Sequence, residues 1–347
     1  MEDGPRANLA EGGGPVGSGA GGGSQVRIGV IGCGGRAGSH IHALTGSEGS
    51  TVVAVADVAE AAARAAGERW SLPWYTDHQE LLRRDDLDAV VVCVPVFAHG
   101  QIELDVISRG LPFLVDKPVS RDLGAARRVQ SALEAAGLWA CVGYQLRYLE
   151  AVRRARAFLA GQTVALADGH YWCGTGRSGS WHNDWQRSGG QLVEQATHTI
   201  DLMRHLVGDV EEVYAQQARR IVTGITSPDT YTVALRFAGG ALGSLTTTWA
   251  HDPGDWSNSN IVHVAVDGCL VRVDGGSADL LPAGKRELPA ASGPDMYAAF
   301  CAGVRSGQPT EVLSSYADGV ATLAVSLAAN ASAQANRPVK LSEGLEA

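Results

Sequence analysis

A glutamate and a histidine stand four residues apart on a predicted helix near residues 192–207. On a continuous helix, Glu194 and His198 share one face, where a carboxylate can orient an imidazole and stabilise its protonated form. An imidazole held in this way can accept the proton of a substrate hydroxyl. Asp201 and His205 continue the same stripe, which contains no Lys or Arg. Asp201 is therefore a candidate for a substrate contact or for a structural role.

The same helix carries a second, apolar stripe, roughly 150° away when each residue turns the helix by ~100°. An apolar stripe packs on the core. We therefore expect the ionisable stripe to face a cleft or solvent. The apolar members are Val193, Ala196, Ile200, Met203 and Val207.

Lys117 is one of only three lysines in the chain and follows a buried strand at 113–115. Ligands of open α/β sheets bind beyond the carboxyl ends of the strands. A lysine at that edge can hold a substrate hydroxyl and stabilise negative charge that develops on its oxygen. The alternative is a solvated lysine beside a proline turn.

A glycine-rich turn follows the predicted strand 26–31 and opens a helix, and an acid ends the next strand. Gly32, Gly34 and Gly35 let the backbone approach a pyrophosphate at the helix N-terminus, and Asp57 is placed to accept both ribose hydroxyls. An acid at that position repels a 2′-phosphate, which favours NAD over NADP. Arg36 could nevertheless reach a phosphate, so NADP stays possible. The residues assigned to this turn are Gly32, Gly34, Gly35, Arg36 and Ala37.

Apolar runs and amphipathic segments alternate from residue 25 to 145, which predicts a Rossmann-type, doubly wound parallel sheet. Predicted strands lie at 26–31, 52–56, 89–94, 113–115 and 139–142. From 146 to 345 the pattern changes to consecutive strands, which predicts an α+β domain with a largely antiparallel, open sheet and helices on one face. Residues 1–24 carry nine glycines and little that could be buried, so we expect a disordered tail.

Composition excludes several classes of protein. The 347 residues are 45% hydrophobic and carry a formal net charge of −9, which disfavours nucleic-acid binding. No run approaches the ~20 apolar residues of a membrane span, and we find no secretion signal. Six cysteines without a C-x-x-C pair indicate buried, reduced thiols of a cytoplasmic protein. The ten histidines show no metal-binding spacing, so we expect no metal. His40, His42 and His99 are interpreted as helix caps or packing groups.

Aromatic and polar residues cluster just before the ionisable helix. Aromatic faces beside polar groups suit the C–H faces and hydroxyls of a sugar or cyclitol. A loop packed by its own tryptophans explains the same composition, and both interpretations stay open. The cluster comprises Trp172, Trp181, Trp185, Tyr171, Arg177, His182 and Asp184, of which Trp172 and Trp185 are the predicted substrate contacts.

Four motifs in order make the sequence resemble the Gfo/Idh/MocA oxidoreductases. They are IGVIGCGGRA at 28–37, DAVVVCVP at 88–95, DKP at 116–118 and GGQLVEQATH at 189–198. The sequence departs from the family in three ways: Asp116 replaces the usual Glu, Val94 and Val96 replace polar residues, and Glu194 stands where many members have Asp.

The resemblance implies a dehydrogenase in which hydride passes from a secondary alcohol of a sugar, inositol or glycoside to NAD. It implies that Lys117 and His198, supported by Glu194, are catalytic, and that the stretch at Tyr144, Gln145 and Arg147 lies near substrate. It also implies a homodimer or homotetramer. Redox-assisted glycoside elimination and a non-catalytic sensor on the same fold are the alternatives. The resemblance adds Val94, Pro95, His99, Asp116 and Lys117 to the cofactor contacts.

Overall fold

A six-stranded parallel sheet organises the first part of the chain in the computed structural model, which describes residues 25–47, 49–175, 180–252 and 257–343. The predicted tail 1–24 and Arg177 lie outside these ranges. The strands are β1 (Val26–Ile31), β2 (Ser50–Ala56), β3 (Trp74–Tyr75), β4 (Ala89–Val92), β5 (Phe113–Val115) and β6 (Ala140–Val142). The helices are α1 (Gly35–Thr45), α2 (Glu60–Trp70), α3 (His78–Leu82), α4 (Gln101–Ser108) and α5 (Leu123–Ala136).

The strand order β3-β2-β1-β4-β5-β6 reverses direction between β1 and β4. A crevice opens at such a reversal, outside the carboxyl ends of the strands. The glycine turn after β1 and the segment after β4 both end at this crevice. The doubly wound sheet expected from the sequence is confirmed, and β3 is the strand that the apolar pattern did not show.

An eight-stranded sheet forms the second half, in the order β13-β12-β11-β7-β10-β9-β8-β14. Only β7 and β10 pair in parallel, so the expected largely antiparallel sheet is confirmed. Its strands are β7 (Leu166–Trp172), β8 (Val210–Ala218), β9 (Thr230–Phe237), β10 (Leu242–Thr248), β11 (Ser259–Val266), β12 (Cys269–Asp274), β13 (Ser277–Leu281) and β14 (Val339–Lys340). The helices of this half are α6 (Glu150–Leu159), α7 (Trp185–Ser188), α8 (Gln191–Glu194), α9 (Thr197–Val207), α10 (Met296–Ser306) and α11 (Tyr316–Ala335).

One face of the second sheet packs on helices, and buried residues alternate with exposed ones along its strands. On the opposite face, Leu166 and Leu242 are about half exposed. We call this uncovered side the open face. Within the described ranges, no helix is long and apolar enough to cross a membrane. None of the six cysteines forms a disulfide.

The last two helices complete both halves of the molecule. Phe300 of α10 packs in the same core as Ile28 of β1. Along α11, Leu323 belongs to the core of the parallel sheet, whereas Ala328 belongs to the core of the second sheet. The two sheets are therefore joined through a shared helix as well as through the chain itself.

The helix predicted around 192–207 is broken, which corrects the sequence interpretation. It is divided into α8 and α9, because the backbone at Gln195 leaves regular helix geometry (φ −116°). The N–H of Ala196 bonds five residues back to the carbonyl of Gln191. The Gln195 side-chain oxygen accepts hydrogen bonds from Trp249 Nε1 and, at 3.1 Å, from Cys173 Sγ. These tertiary contacts outweigh the local preference for a continuous helix.

The prediction that the ionisable stripe faces a cleft or solvent is wrong for Asp201 and His205. Both are buried, Asp201 at 1% exposure. Arg147 binds the Asp201 carboxylate through two hydrogen bonds of 2.7 and 2.8 Å, and Thr322 of α11 donates to the same carboxylate. Arg147 also donates to the carbonyl of Leu313. This pair ties the segment after β6 to α9 and to the segment before α11.

We predict that Asp201→Ala lowers the free energy of unfolding by about 3 kcal/mol, because it removes the bidentate partner of the buried Arg147 charge and leaves it with the partly exposed Asp318 carboxylate, 3.2 Å away. Urea denaturation followed by circular dichroism measures the change. Glu60→Ala, which breaks the exposed Glu60–Arg64 pair, is the matched control and should cost no more than about 1 kcal/mol. Equal losses in the two variants would contradict the structural importance of the Arg147–Asp201 pair.

Candidate active site

The glycine turn after β1 leaves the backbone without side chains at the N-terminus of α1. Gly32 has φ +100°, and a Cβ there would lie 2.0 Å from the carbonyl oxygen of Cys93. A Cβ on Gly34 or Gly35 would meet nothing within 4 Å, so the space beside them is open. No acidic residue occupies the first turn of α1. The free N–H groups and the helix dipole therefore favour an anionic group such as a pyrophosphate.

Asp57 lies at the end of β2 with its carboxylate held in place by backbone. Its oxygens accept hydrogen bonds from the N–H groups of Cys33 and Ala59, both at 2.8 Å. A cavity of about 280 Å³ runs from Gly32 past Asp57 to Pro95. An oriented acid beside a phosphate cradle fits the ribose of a dinucleotide. We call this cavity the dinucleotide groove.

A second cavity, of about 400 Å³, continues from the dinucleotide groove into the cleft between the two sheets. The two cavities share Gly34, Cys93, Val94 and Pro95 in their walls. We call the second one the cleft cavity. A dinucleotide in the groove would therefore present its far end to the cleft cavity. The polar and aromatic groups that line the cleft cavity include Arg36, Asp116, Lys117, Trp181, His182 and Glu194.

Lys117 binds the broken helix from the other side of the cleft. Its Nζ donates to the backbone carbonyl of Glu194 at 2.5 Å and lies 3.4 Å from the carboxylate oxygen Oε1 of the same residue. In a continuous helix that carbonyl would accept the N–H of His198, but this N–H instead bonds to the carbonyl of Gln195. The break in the helix therefore frees the carbonyl that Lys117 binds.

The expected pairing of Glu194 with His198 is wrong, because the break changes the angle between the two residues. Glu194 Oε1 lies near Lys117 and 3.8 Å from His182 Nε2, and its Oε2 is buried with no hydrogen-bond partner within the described part of the chain. The ring of His198 instead stands edge-on to Tyr144, at 6.1 Å between centroids. The Tyr144 hydroxyl is in turn 2.8 Å from Thr197 Oγ1.

His198 lies in a positive environment. Burial, followed by the charges of Lys117 and Arg36, holds the pKa of its imidazole well below the usual value. The ring is consequently neutral near pH 7. Its Nδ1 is buried and has no hydrogen-bond partner among the residues that the structure describes. The imidazole can therefore accept a proton, although no carboxylate supports it in the way that the sequence suggested.

The carboxylate of Asp116 is a buried charge in the wall of the cleft cavity. Burial alone would raise the pKa of its carboxyl group, but the neighbouring His40, whose Nε2 lies 3.4 Å from Oδ1, and the charges of Arg36 and Lys117 hold it well below the usual range. His40 is itself held by the Tyr297 hydroxyl at 3.1 Å from Nδ1. Asp116 is thus ionised and buried immediately before Lys117.

His40, Cys93 and Asp116 are also close enough together to suggest a metal site. Burial and the neighbouring Asp116, however, raise the pKa of the Cys93 thiol far above its usual value. The Cys93 side chain is therefore a neutral thiol, and its Sγ lies 3.9 Å from Asp116 Oδ2. His99 is also buried, with Nδ1 2.5 Å from Glu103, and it does not line the dinucleotide groove, which fits the packing role proposed from the sequence.

Three residues expected near substrate have other positions. Arg147 and Asp201 are occupied by each other, as described above. Trp172 points to the open face, where its Nε1 donates to Thr246 Oγ1 at 3.1 Å, because side chains alternate along β7 and its neighbour Tyr171 takes the buried side. These three assignments are corrected. Gln145 keeps a buried Oε1 with no hydrogen-bond partner within the described ranges.

Of the predicted aromatic cluster, Trp181 lines the cleft cavity, whereas Trp185 is not part of its wall. Trp181 stacks on His182 with ring centroids 3.8 Å apart, and its other neighbour is Phe97 of the segment after β4. Trp185 packs over Gly190, where a Cβ would lie 2.6 Å from its ring. Trp181 and His182 were in the sequence cluster but not among the predicted site residues. Their place in the aromatic and polar cluster just before the ionisable helix is the signal that could have identified them.

Comparison with known proteins agrees with this geometry. Residues 26–144 match a family model described as an oxidoreductase family with an NAD-binding Rossmann fold, and residues 160–267 match the GFO/IDH/MocA C-terminal domain. An inositol 2-dehydrogenase of Rubrobacter xylanophilus is 29% identical over 235 residues, or 64% of this chain. An uncharacterized oxidoreductase of Bacillus subtilis is 24% identical over 225 residues, or 63% of the chain. The chain aligns with 65% of the length of each of these two relatives.

A solved structure shares the fold across almost the whole molecule. The WlbA dehydrogenase of Bordetella pertussis, solved with NADH and UDP-GlcNAcA, superimposes with a TM-score of 0.79 at 23% identity, covering 91% of this chain and 99% of that one. The two domain matches, one in each half, agree with the sheet order and the glycine turn. The chain therefore belongs to the Gfo/Idh/MocA family of NAD-binding oxidoreductases.

Proposed function

We propose that this protein is an NAD-dependent dehydrogenase that oxidises a secondary alcohol of a sugar, inositol or glycoside. The observation that carries the proposal is the contact of Lys117 with Glu194 at the cleft cavity, which shares its walls with the dinucleotide groove. NAD bound in the groove supplies the hydride acceptor. The chain's own residues must then bind the alcohol, hold its oxygen and remove its proton.

Lys117 is placed to hold the alcohol oxygen. An ammonium group has three donors, and two of them are directed to the carbonyl and carboxylate of Glu194. The third is available to a substrate hydroxyl. Because the Glu194 contacts fix the position of Nζ, its charge is aimed in advance at an oxygen that becomes more negative during the reaction. Glu194 is thus a positioning residue for Lys117 in this proposal.

His198 is the proposed general base. Its imidazole is neutral near pH 7 because its pKa is lowered, and a neutral imidazole can take the hydroxyl proton. His182 is the competing base, since it lines the cleft cavity and its pKa is also lowered, first by burial. We favour His198 because the charges of both Lys117 and Arg36 lower its pKa, whereas at His182 the Glu194 carboxylate opposes the effect of Lys117.

The substrate class follows from the walls of the cleft cavity. Trp181 offers an aromatic face, and His182, Lys117 and Glu194 offer donors and acceptors. This combination suits a polyol ring, whose C–H faces stack while its hydroxyls hydrogen-bond. Relatives named inositol 2-dehydrogenase support the same class. NADH absorbance over a panel of inositols, sugars and glycosides tests the proposal. Consumption of a glycoside without net NADH would instead indicate redox-assisted elimination.

We also propose that the protein is a homo-oligomer that pairs through the open face. Helices cover the other side of the sheet, whereas Leu166, Leu242 and Trp172 are 40–50% exposed on this one. Burial of such apolar surface between two copies is favourable.

The first prediction from the proposed function concerns cofactor selectivity. NAD should bind more tightly than NADP, because the Asp57 carboxylate would face the 2′-phosphate. Asp57→Ala should narrow the preference by about ten-fold or more, since removing ~1.4 kcal/mol of repulsion changes a Kd ten-fold. Isothermal titration calorimetry with both dinucleotides measures this. Tighter binding of NADP to the unaltered protein would contradict the role of Asp57.

Our second prediction identifies the base. His198→Ala should lower turnover by a factor of ~10² to 10⁴ while NAD affinity stays near native, because the groove lies on the other domain. His182→Ala, the matched comparison, should lower turnover much less. The acidic limb of the wild-type pH–rate profile should lie below the ordinary histidine value of about 6.5, because the lowered pKa keeps His198 neutral as the pH falls.

One combination of results would assign the general base to His182 instead of His198. A folded His198→Ala protein with near-native turnover, together with a large loss in His182→Ala, would make His182 the base. Thermal unfolding of both variants serves as the control for fold.

Our third prediction concerns assembly. Light scattering at micromolar concentration should give a dimer or tetramer, and Leu242→Glu should shift the protein toward the monomer because it places a charge on the open face. A monomeric wild-type protein would contradict pairing through this surface.

A further inference from the structure

Two histidines and an aspartate converge on the open face, on the opposite side of the sheet from the cleft cavity. Asp168 and His170 stand two residues apart on β7, so they share a face, and His263 of β11 is the direct cross-strand partner of Asp168. Asp168 Oδ2 lies 2.5 Å from His170 Nε2 and 3.9 Å from His263 Nδ1. The three donor atoms all lie within 4.8 Å of one another.

We propose that Asp168, His170 and His263 form a binding site for a divalent transition-metal ion of the Zn²⁺ class. Two imidazoles and one carboxylate are a donor set that such ions prefer, and three protein ligands leave a fourth position for water. An ordinary His–Asp ion pair needs one histidine. In this cluster a second imidazole, that of His263 on the neighbouring strand, also faces Asp168 Oδ2. This second imidazole distinguishes the cluster from a simple ion pair.

A second layer of hydrogen bonds supports the donors. Ser244 of β10 donates to Asp168 Oδ1 at 2.5 Å, which leaves Oδ2 directed at the two histidines. Thr246 Oγ1 lies 3.4 Å from His170 Nδ1 and is itself held by Trp172 Nε1. A bond of this kind at Nδ1 presents Nε2 as the metal-binding nitrogen. Metal ligands in proteins characteristically have such outer partners, which fix the tautomer and the ring orientation.

The positions of the donors allow binding with small side-chain movements. Metal–ligand distances of about 2.0–2.2 Å require donors a little over ~3 Å apart in a tetrahedral site. The observed separations of 2.5 and 3.9 Å lie on either side of that value. The three donors stand on paired strands, so rotation about side-chain bonds is sufficient.

The site is accessible and is not neutralised by a free cation. In the single chain the side chains of Asp168, His170 and His263 are 28–32% exposed, so a hydrated ion can reach them before a second copy covers the open face. The nearest cation by register is Arg272, which pairs with His263 across β11 and β12. Its guanidinium is held by Asp274 at 2.6 Å. The Asp168 carboxylate therefore keeps its charge for a ligand.

Neither the spacing in the sequence nor the proposed dehydrogenase activity points to this site. The sequence analysis expected no metal because no two histidines have helical metal-binding spacing. The donors come together only through the register of β7 and β11. The inference is independent of the proposed reaction, because it concerns the opposite face of the sheet.

The test is a titration of the full chain with Zn²⁺ after chelator treatment, followed by isothermal calorimetry. We expect one zinc equivalent that disappears in His263→Ala, with affinity at least ~100-fold weaker, and Ser244→Ala should weaken binding about ten-fold through the lost outer contact. His42→Ala is the matched control: His42 is an exposed histidine on α1, and its removal should leave the titration unchanged. Asp168→Asn, which keeps the side-chain volume, provides a second variant should His263→Ala fail to fold.

Three results would overturn the proposal. They are the absence of zinc binding by the wild-type protein, an unchanged zinc equivalent in both His263→Ala and Asp168→Asn, and an equal loss in the His42→Ala control. The titration is repeated with Leu242→Glu, in which the open face should be unpaired, so failure of zinc binding is distinguishable from exclusion of the ion by pairing through that face. Failure of zinc binding is also distinguishable from failure of the dehydrogenase proposal, because the titration requires no turnover.

Discussion

The bond from Lys117 Nζ to the carbonyl oxygen of Glu194 is the contact on which the candidate site depends. A buried backbone carbonyl needs a partner, and a regular helix would have supplied one internally. Because α8 and α9 are separated at Gln195, that carbonyl is left for a side chain from the other half of the molecule. One hydrogen bond therefore satisfies the helix end and fixes the ammonium group at the cleft cavity.

The charges of this molecule serve two separate purposes. The Arg147–Asp201 pair is buried and lines neither the dinucleotide groove nor the cleft cavity, and it holds together segments that lie far apart in the chain. A second group of largely buried charges lines the cleft cavity and comprises Lys117, Glu194 and Asp116. Polar atoms of this group, such as Glu194 Oε2 and Asp116 Oδ1, have no hydrogen-bond partner among the described residues. A buried polar atom without a partner is costly. Glu194 Oε2 and His198 Nδ1 are two such atoms at the candidate active site. A hydrogen bond to a bound ligand there could offset the cost.

Local patterns predicted the fold well, and they failed where tertiary contacts decide the geometry. The glycine turn, Asp57 and the alternating strands are determined by neighbours in the sequence, and the structure has them where the sequence placed them. The angular argument for Glu194 and His198 assumed a continuous helix, and it failed because Trp249 and Cys173, distant in sequence, hold the side chain of Gln195. The side of the sheet taken by Trp172 could have been foreseen from strand alternation with Tyr171. The cluster at Asp168 could not, since cross-strand register is invisible in spacing.

The shared helix α11 has a consequence for how the chain acquires its structure. Domains usually fold as units, with the earlier one forming first during synthesis. Here the core around β1 is incomplete until Phe300 arrives, and both sheets need opposite faces of α11. Neither half can therefore bury its full apolar surface while the C-terminal helices are still being made. The two halves should gain stability together in one late, cooperative event, and the nascent parallel sheet should depend on chaperones until then.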